Sequence, residues 1–261
     1  MTVLTGGTLS TAGIDAVALK PAEVDLDRAR ALDVETLTID YEGREHFPDA
    51  ETLDRLGDEF DLRVTVPFRA DGFDPRGDDS LRQSLPDSAS EVLVAGHQAY
   101  LDAHERKRSV APRLNAAVES ATDPWVGTEG IERLALAAGG TQFELLSRET
   151  AGSIRALRET GFDNQVAVYA PTVLTDDESE ILDAVGPYAA RRQAVQNRLP
   201  ENSPTDSRAS GKSRNILKKA CREYALVGSP ETVTRRVEKL HDVGVDHIVA
   251  YPARGLDPLL Q

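Results

Sequence analysis

The sequence predicts an α/β protein built as a (β/α)8 barrel of the TIM type. Three observations carry this. Eight short β-branched runs recur along 261 residues. Helical patterns lie between them, and the runs are continuously apolar rather than alternating, as in strands buried on both faces of a parallel sheet. A doubly wound open sheet is the alternative arrangement of the same elements. A chain of this length buries a sizeable core, and a single domain over residues 1–261 is expected.

The first strand is expected at 16–20, and residues 25–32 then place Leu26, Ala29 and Leu32 on one helical face. A second strand at 36–40 leads to a helix at 50–60 with Leu53, Leu56 and Phe60 inward, and a third strand follows at 63–67. The fourth run, 91–95, reads either as a strand or as part of a helix capped by Ser90 and continuing through Val92, Leu93 and Tyr100. Strands at 125–127 and 142–146 precede a helix at 149–160 that buries Ile154 and Leu157 and stops at Gly161, a C′ glycine. After a strand at 165–169, Thr175-Asp176-Asp177-Glu178 reads as a capping box with Thr175 as N-cap and Glu178 at N3. Residues 199–213, rich in Pro, Asn, Ser, Asp and Gly, read as a mobile loop within an insertion at 199–214 before the last strand. Ser229-Pro230-Glu231 starts a final helix with a cap, an N1 proline and an acidic first turn. Val233, Val237 and Leu240 form its stripe, Gly244 ends it, and the eighth strand is expected at 247–251.

Charge narrows the function classes. The chain has 30 basic and 44 acidic residues, a net charge of −14, and a field of that sign repels nucleic acid. Arg outnumbers Lys four to one, and Asp is abundant. This composition points to a halophilic protein whose carboxylates hold water while molar salt screens their repulsion; an acidic protein from a GC-rich genome is the alternative. No run is long enough to span a bilayer, the first seven residues lack a signal peptide's regions, and Cys221 is the only cysteine. A soluble, cytoplasmic protein acting on a small molecule, able to form a homo-oligomer, is expected, without membrane, nucleic acid or metal. The acidity is uneven. Residues 191–222 hold nine basic and two acidic side chains, a local charge of +7, leaving −21 elsewhere.

Three stretches, in order, resemble the second half of the superfamily of luciferase-like monooxygenases and coenzyme F420-dependent oxidoreductases. The first is Asp123-Pro124-Trp125-Val126-Gly127-Thr128-Glu129-Gly130 and the helix after it, ending at Gly139-Gly140 where the family usually has Asp-Gly. The second is Val166-Ala167-Val168-Tyr169 followed by Thr175 to Glu178. The third and most specific is Val227-Gly228-Ser229-Pro230-Glu231-Thr232-Val233, then Gly244-Val245-Asp246-His247-Ile248-Val249. Tyr251-Pro252-Ala253-Arg254-Gly255 is similar to the branch containing methylenetetrahydromethanopterin reductase. The matches cover about residues 123–255. The resemblance implies a luciferase-like barrel, coenzyme F420 or FMN, and hydride transfer to or from a small, pterin-like substrate. Members usually carry Asp-His after an early strand, and here the counterpart is Asp40-Tyr41. That departure keeps a second possibility open, a diverged barrel that binds a ligand or partner without chemistry.

Ligands of parallel barrels sit at the C-terminal strand ends. Asp40 and Glu129 are the acid–base candidates there, a solvated carboxylate being the alternative for each. Gly127, Thr128 and Gly130 form a turn whose backbone N–H groups suit an anion at a helix N-terminus, or a tight turn that needs glycine. Arg148 and Arg254, also at strand ends, are candidates for holding the cofactor. The +7 segment is either a lid over an anionic tail or a solvated surface. Lys212 in Ser210-Gly211-Lys212-Ser213 is not a P-loop, since Asp206 stands where the pattern needs glycine. His247 starts its strand and falls at the opposite, structural end.

Overall fold

In the computed structural model, which describes residues 8–260, eight parallel strands close into a ring. The signal-peptide reading of residues 1–7 lies outside the described residues. The strands are β1 (Ala16–Leu19), β2 (Thr36–Ile39), β3 (Asp61–Pro67), β4 (Ala89–Val94), β5 (Trp125–Gly127), β6 (Thr141–Leu145), β7 (Val166–Leu174), β8 (Leu226–Gly228) and β9 (His247–Pro252). Around the ring the order is β1-β2-β3-β4-β5-β6-β7-β9, with β9 returning to β1 through Ala16↔Val249. The eight ring strands are the eight predicted runs. The ambiguous fourth run is a strand: Ser90 pairs with Arg63 instead of capping a helix, and Val92 and Leu93 are buried.

β8 was not predicted. It pairs outside the ring with the far end of β7, Thr172↔Leu226, because β7 runs on past Tyr169 to Leu174. Three residues carry too little pattern to announce a strand.

The helices are α1 (Thr8–Thr11), α2 (Ala50–Gly57), α3 (Ala111–Ser120), α4 (Glu132–Ala138), α5 (Thr150–Glu159), α6 (Glu178–Ala190), α7 (Gln193–Gln196), α8 (Gly211–Tyr224) and α9 (Pro230–His241). Outward strand residues such as Leu37, Ile39, Val64, Val168 and Ile248 pack against Leu53, Ile154, Val233 and Val237 of these helices. Inward residues form a second core in which Ala16 and Ala18 of β1 leave room for Trp125, Phe143 and Tyr169. Both strand faces are therefore buried, which is why the runs do not alternate.

Three local expectations are corrected. The first helix is a 3-10 segment, Leu26–Ala31, with Leu32 already extended. The N-cap of α6 is Asp177, not Thr175: its carboxylate accepts from Ser179 N (2.8 Å) and Glu180 N (2.9 Å). Thr175 sits two residues upstream, accepting from Asp177 N at 3.1 Å, and Glu178 is drawn to Arg214 and Lys218 instead of back to the cap. The predicted loop ends at Ser210, since α8 starts at Gly211.

The loop before α8 is fastened to α6 and α8, which share their own apolar cluster with β8. Ser207 N donates to Asp183 (2.9 Å), Arg214 donates to Ser207 O (2.9 Å), and the Thr205 carbonyl lies directly over Gly186. A Cβ on Gly186 would collide with that carbonyl. Gly186→Ala should therefore cost about 1–3 kcal/mol through overpacking. Gly152→Ala, in open space within α5, should instead stabilise by up to about 1 kcal/mol through helix propensity. Denaturant midpoints that move the same way in both variants would refute this packing account.

The N-terminal end of the ring is plugged. Arg63 lies 4.4 Å over the Trp125 ring, donating to Asp61 (3.1 Å) and to the Asp123 carbonyl (3.1 Å). His247 stacks on Trp125 at 5.5 Å, and its Nδ1 is 2.7 Å from Asp15. That hydrogen bond holds the imidazole above its ordinary pKa in spite of burial. His247 thus stands at the structural end.

Candidate functional site

Strand geometry decides which side chains meet at the C-terminal mouth. Alternate residues share a face, so the inward rows Ala16-Ala18-Lys20, Thr36-Thr38-Asp40, Ala167-Tyr169 and Val249-Tyr251 each end there in a polar group. Tyr169 OH donates to Asp40 Oδ2 (3.1 Å), and Thr65 Oγ1 donates to Oδ1 (3.3 Å). Burial raises the Asp40 carboxyl to about 6, against the pull of Lys20, Tyr169 and Thr65, and Glu42 adds to the rise. Asp40 nevertheless keeps a partly accessible edge. The Tyr169 phenol is pushed well up by burial, then by Asp40, Tyr188 and Tyr251.

Aromatic packing sets the positions. The Tyr169 and Tyr251 rings are nearly parallel at 6.1 Å, and Phe143 meets Tyr169 edge-on at 5.9 Å. Tyr251 donates to Glu23, while Lys20 Nζ lies 4.3 Å over the Tyr251 ring and 3.4 Å from Glu23. Burial and Glu23 keep the Tyr251 phenol protonated far above neutrality. Tyr41 packs against Phe73 (5.2 Å), Phe47 (6.1 Å) and Tyr100 (6.4 Å). A carboxyl raised to about 6 and held by a phenol beside a lysine can store a proton and pass it on.

Of the residues expected at the site, Asp40 lies at the centre of this group. Glu129 does not join it: it is exposed on the rim, paired with Arg192 at 3.2 Å. Thr128 is buried and bonded to the Phe143 carbonyl at 3.0 Å through its backbone N–H. Gly127 makes room for its neighbour, since a Cβ there would stand 2.8 Å from Val94 Cγ1. Gly130 has φ +74° and faces open space, with its N–H donating to Glu132 at 3.1 Å. Arg148 pairs with Glu149 at 2.8 Å, and Arg254 pairs with Glu180 at 2.7 Å. Arg254 also lines a shallow depression of about 360 Å³ with Glu180 and Asp183. Thr65, Tyr188 and Arg192 were not singled out from sequence. Their signals were the inward row of β3 and the i, i+4 spacing of Tyr188 and Arg192. Among the described residues, no group of three or more His, Cys, Asp or Glu is placed to hold a metal ion. None of their helices is long and apolar enough to cross a membrane.

The ring and its mouth define a (β/α)8 barrel. The chain belongs to a family of unknown function, DUF7388, whose model matches residues 9–259. No curated protein matches the sequence. The structure is similar to the coenzyme F420-dependent tetrahydromethanopterin reductase from Methanopyrus kandleri, with TM-score 0.61, 12% identity, and coverage of 93% of this chain and 94% of that one. It is also similar to an F420-dependent secondary alcohol dehydrogenase in complex with an F420–acetone adduct, with TM-score 0.59, 12% identity and 94% of each chain covered. At such identity the likeness is one of fold, and it extends over the first half of the chain, which the sequence matches at residues 123–255 do not cover.

Proposed function

We propose that the chain is an oxidoreductase moving a hydride between coenzyme F420, with FMN as the other candidate, and a small pterin-like substrate. The observation that carries the reading is the Asp40 carboxyl, held by Tyr169 and Thr65 at the mouth with its pKa raised to about 6. The mouth suits such a coenzyme in two ways. The partly exposed Tyr251 ring, set nearly parallel to the buried Tyr169 ring, offers flat aromatic surface, and Arg192 meets its carboxylate partner through one nitrogen only. Arg192, Arg254 and Arg148 would hold an anionic tail along the rim that includes Thr128 and Gly130, with Gly127 shaping the turn. When bound, the coenzyme supplies the hydride chemistry. Asp40 holds or releases the substrate's proton, Tyr169 and Thr65 orient its two oxygens, and Lys20 favours its charged form. Glu129 is a second proton-handling candidate at the rim. The proposed partners are small molecules and further copies of the chain; the −14 charge disfavours nucleic acid.

One observation favours a barrel that binds without chemistry: Tyr41, at the family's His position, is committed to the Phe47–Phe73 cluster. Titrations followed by absorption and fluorescence, in the molar potassium chloride that the acidic composition fits, separate the readings. Coenzyme F420 or FMN should bind with a Kd below about 100 μM. Binding of neither removes the oxidoreductase reading. Binding without reduction of any cyclic substrate tried would leave the non-catalytic one.

A further inference from the structure

Nine basic residues crowd positions 191–222, and four of them are paired within their own layer. Glu178 takes Arg214 and Lys218, Asp206 takes Arg208, and Glu223 takes Lys219. Arg192 reaches out of the layer, to Glu129 at the end of β5, 63 residues away in sequence. Its guanidinium is held independently of that partner: it lies 4.5 Å from the Tyr188 ring and 5.8 Å from that of Tyr224, and it donates to the Tyr188 hydroxyl. Two tyrosines thus fix the plane of the fork and leave one of its edges to an anion.

That edge is poorly filled. Glu129 meets Nη1 of Arg192 alone, so an oxyanion spanning Nη1 and Nη2 would make the bidentate contact that Glu129 does not. Glu129 itself is 64% exposed, on a turn whose Gly130 faces open space. An ion pair of that kind is weak. The place also matters. Glu129 follows the C-terminal end of β5, so an anion on Arg192 would lie at the mouth of the barrel.

We infer that Arg192 is the anion-binding residue of the mouth, and that Glu129 is a placeholder which a ligand's phosphate or carboxylate displaces. The inference rests on the mouth being the ligand site, not on the reaction performed there. It gives Glu129 a part different from proton transfer: a gate charge that competes with the ligand for one guanidinium.

The test uses inorganic pyrophosphate as probe at constant potassium chloride, read by thermal shift and calorimetric titration on the full chain. Glu129→Gln should tighten pyrophosphate binding by up to about fivefold, the upper range for an exposed ion pair. Arg192→Gln should weaken it at least about tenfold. Arg192→Lys keeps the charge, loses the fork, and should fall between, which covers the case in which the Gln variant folds poorly. FMN against riboflavin then separates the sources of the anion. If the coenzyme's phosphate is the ligand, Arg192→Lys weakens FMN and leaves riboflavin unchanged. If an anionic substrate is the ligand, both flavins bind alike and only pyrophosphate responds. Pyrophosphate binding that is absent in wild type, or untouched by either Arg192 variant and by Glu129→Gln, overturns the inference. Coenzyme binding that survives this result leaves the oxidoreductase reading standing. Arg192-dependent pyrophosphate binding without any coenzyme binding does the reverse.

Discussion

Asp40→Asn should slow turnover by about a hundredfold or more, the usual worth of a positioned acid–base group, and at the same time make the protein more stable at pH 8. The two effects have one cause. Burial holds the folded carboxyl near 6, above the ordinary value of 3.8. The folded state therefore keeps its proton to higher pH than the unfolded chain does. Stability linked to this group is fully present below about pH 4, falls as pH rises through 6, and then levels off. The loss is at most about 3 kcal/mol, and less because Asp40 keeps a hydrated edge and Lys20 nearby. Asparagine has no such slope. The carboxylates of Asp183, Asp206 and Glu178, stabilised by hydrogen bonds, shift the other way, so the wild-type curve alone mixes both signs. The difference between wild type and Asp40→Asn isolates Asp40. Melting temperatures should coincide at pH 4 and separate by pH 7, the variant above. Parallel curves from pH 4 to 8 would contradict the raised carboxyl.

Trp125→Ala should give a large loss of stability, about 3–5 kcal/mol. The indole is 1% exposed, and it is contacted from different sides by Arg63, His247 and Phe143. Alanine leaves a void under a guanidinium that is itself only 8% exposed, so the cavity cost adds to lost cation–π contact. Trp125→Phe keeps a ring and should lose less than half as much. Urea midpoints measure both, and an alanine variant within about 1 kcal/mol of wild type would show that Arg63 and the aspartates close this end unaided.

The ring was legible because its strands are buried twice over. A run such as Val64 to Val66 has helices on one side and the barrel interior on the other, and that leaves an apolar stretch in the sequence. β8 has only the end of β7 to pair with and left no such trace. The capping box failed by two residues because Asp177 is the charged acceptor at the helix start and Glu178 has stronger partners in Arg214 and Lys218. At the site, Asp40 was found by counting to a strand end. Its partners Thr65 and Tyr169 stand 25 and 129 residues away, and period two places each inward without saying that closure brings them together. The Arg192–Glu129 contact is of the same kind, set by which rim positions face one another.

The aromatic residues are sorted by end. The single tryptophan plugs the closed end, while all six tyrosines lie at the mouth or in the layer beside it. The molecule is therefore wired with two optical reporters that do not overlap. Excited at the red edge, where tyrosine does not absorb, it emits from Trp125 alone, and that emission follows the protonation of the imidazole stacked on it. Tyrosine difference absorption follows the other end. A colourless ligand at the mouth registers in the second signal and leaves the first unchanged, whereas a flavin or deazaflavin there also takes up Trp125 emission by energy transfer, so the two signals together tell a chromophoric coenzyme from a colourless substrate.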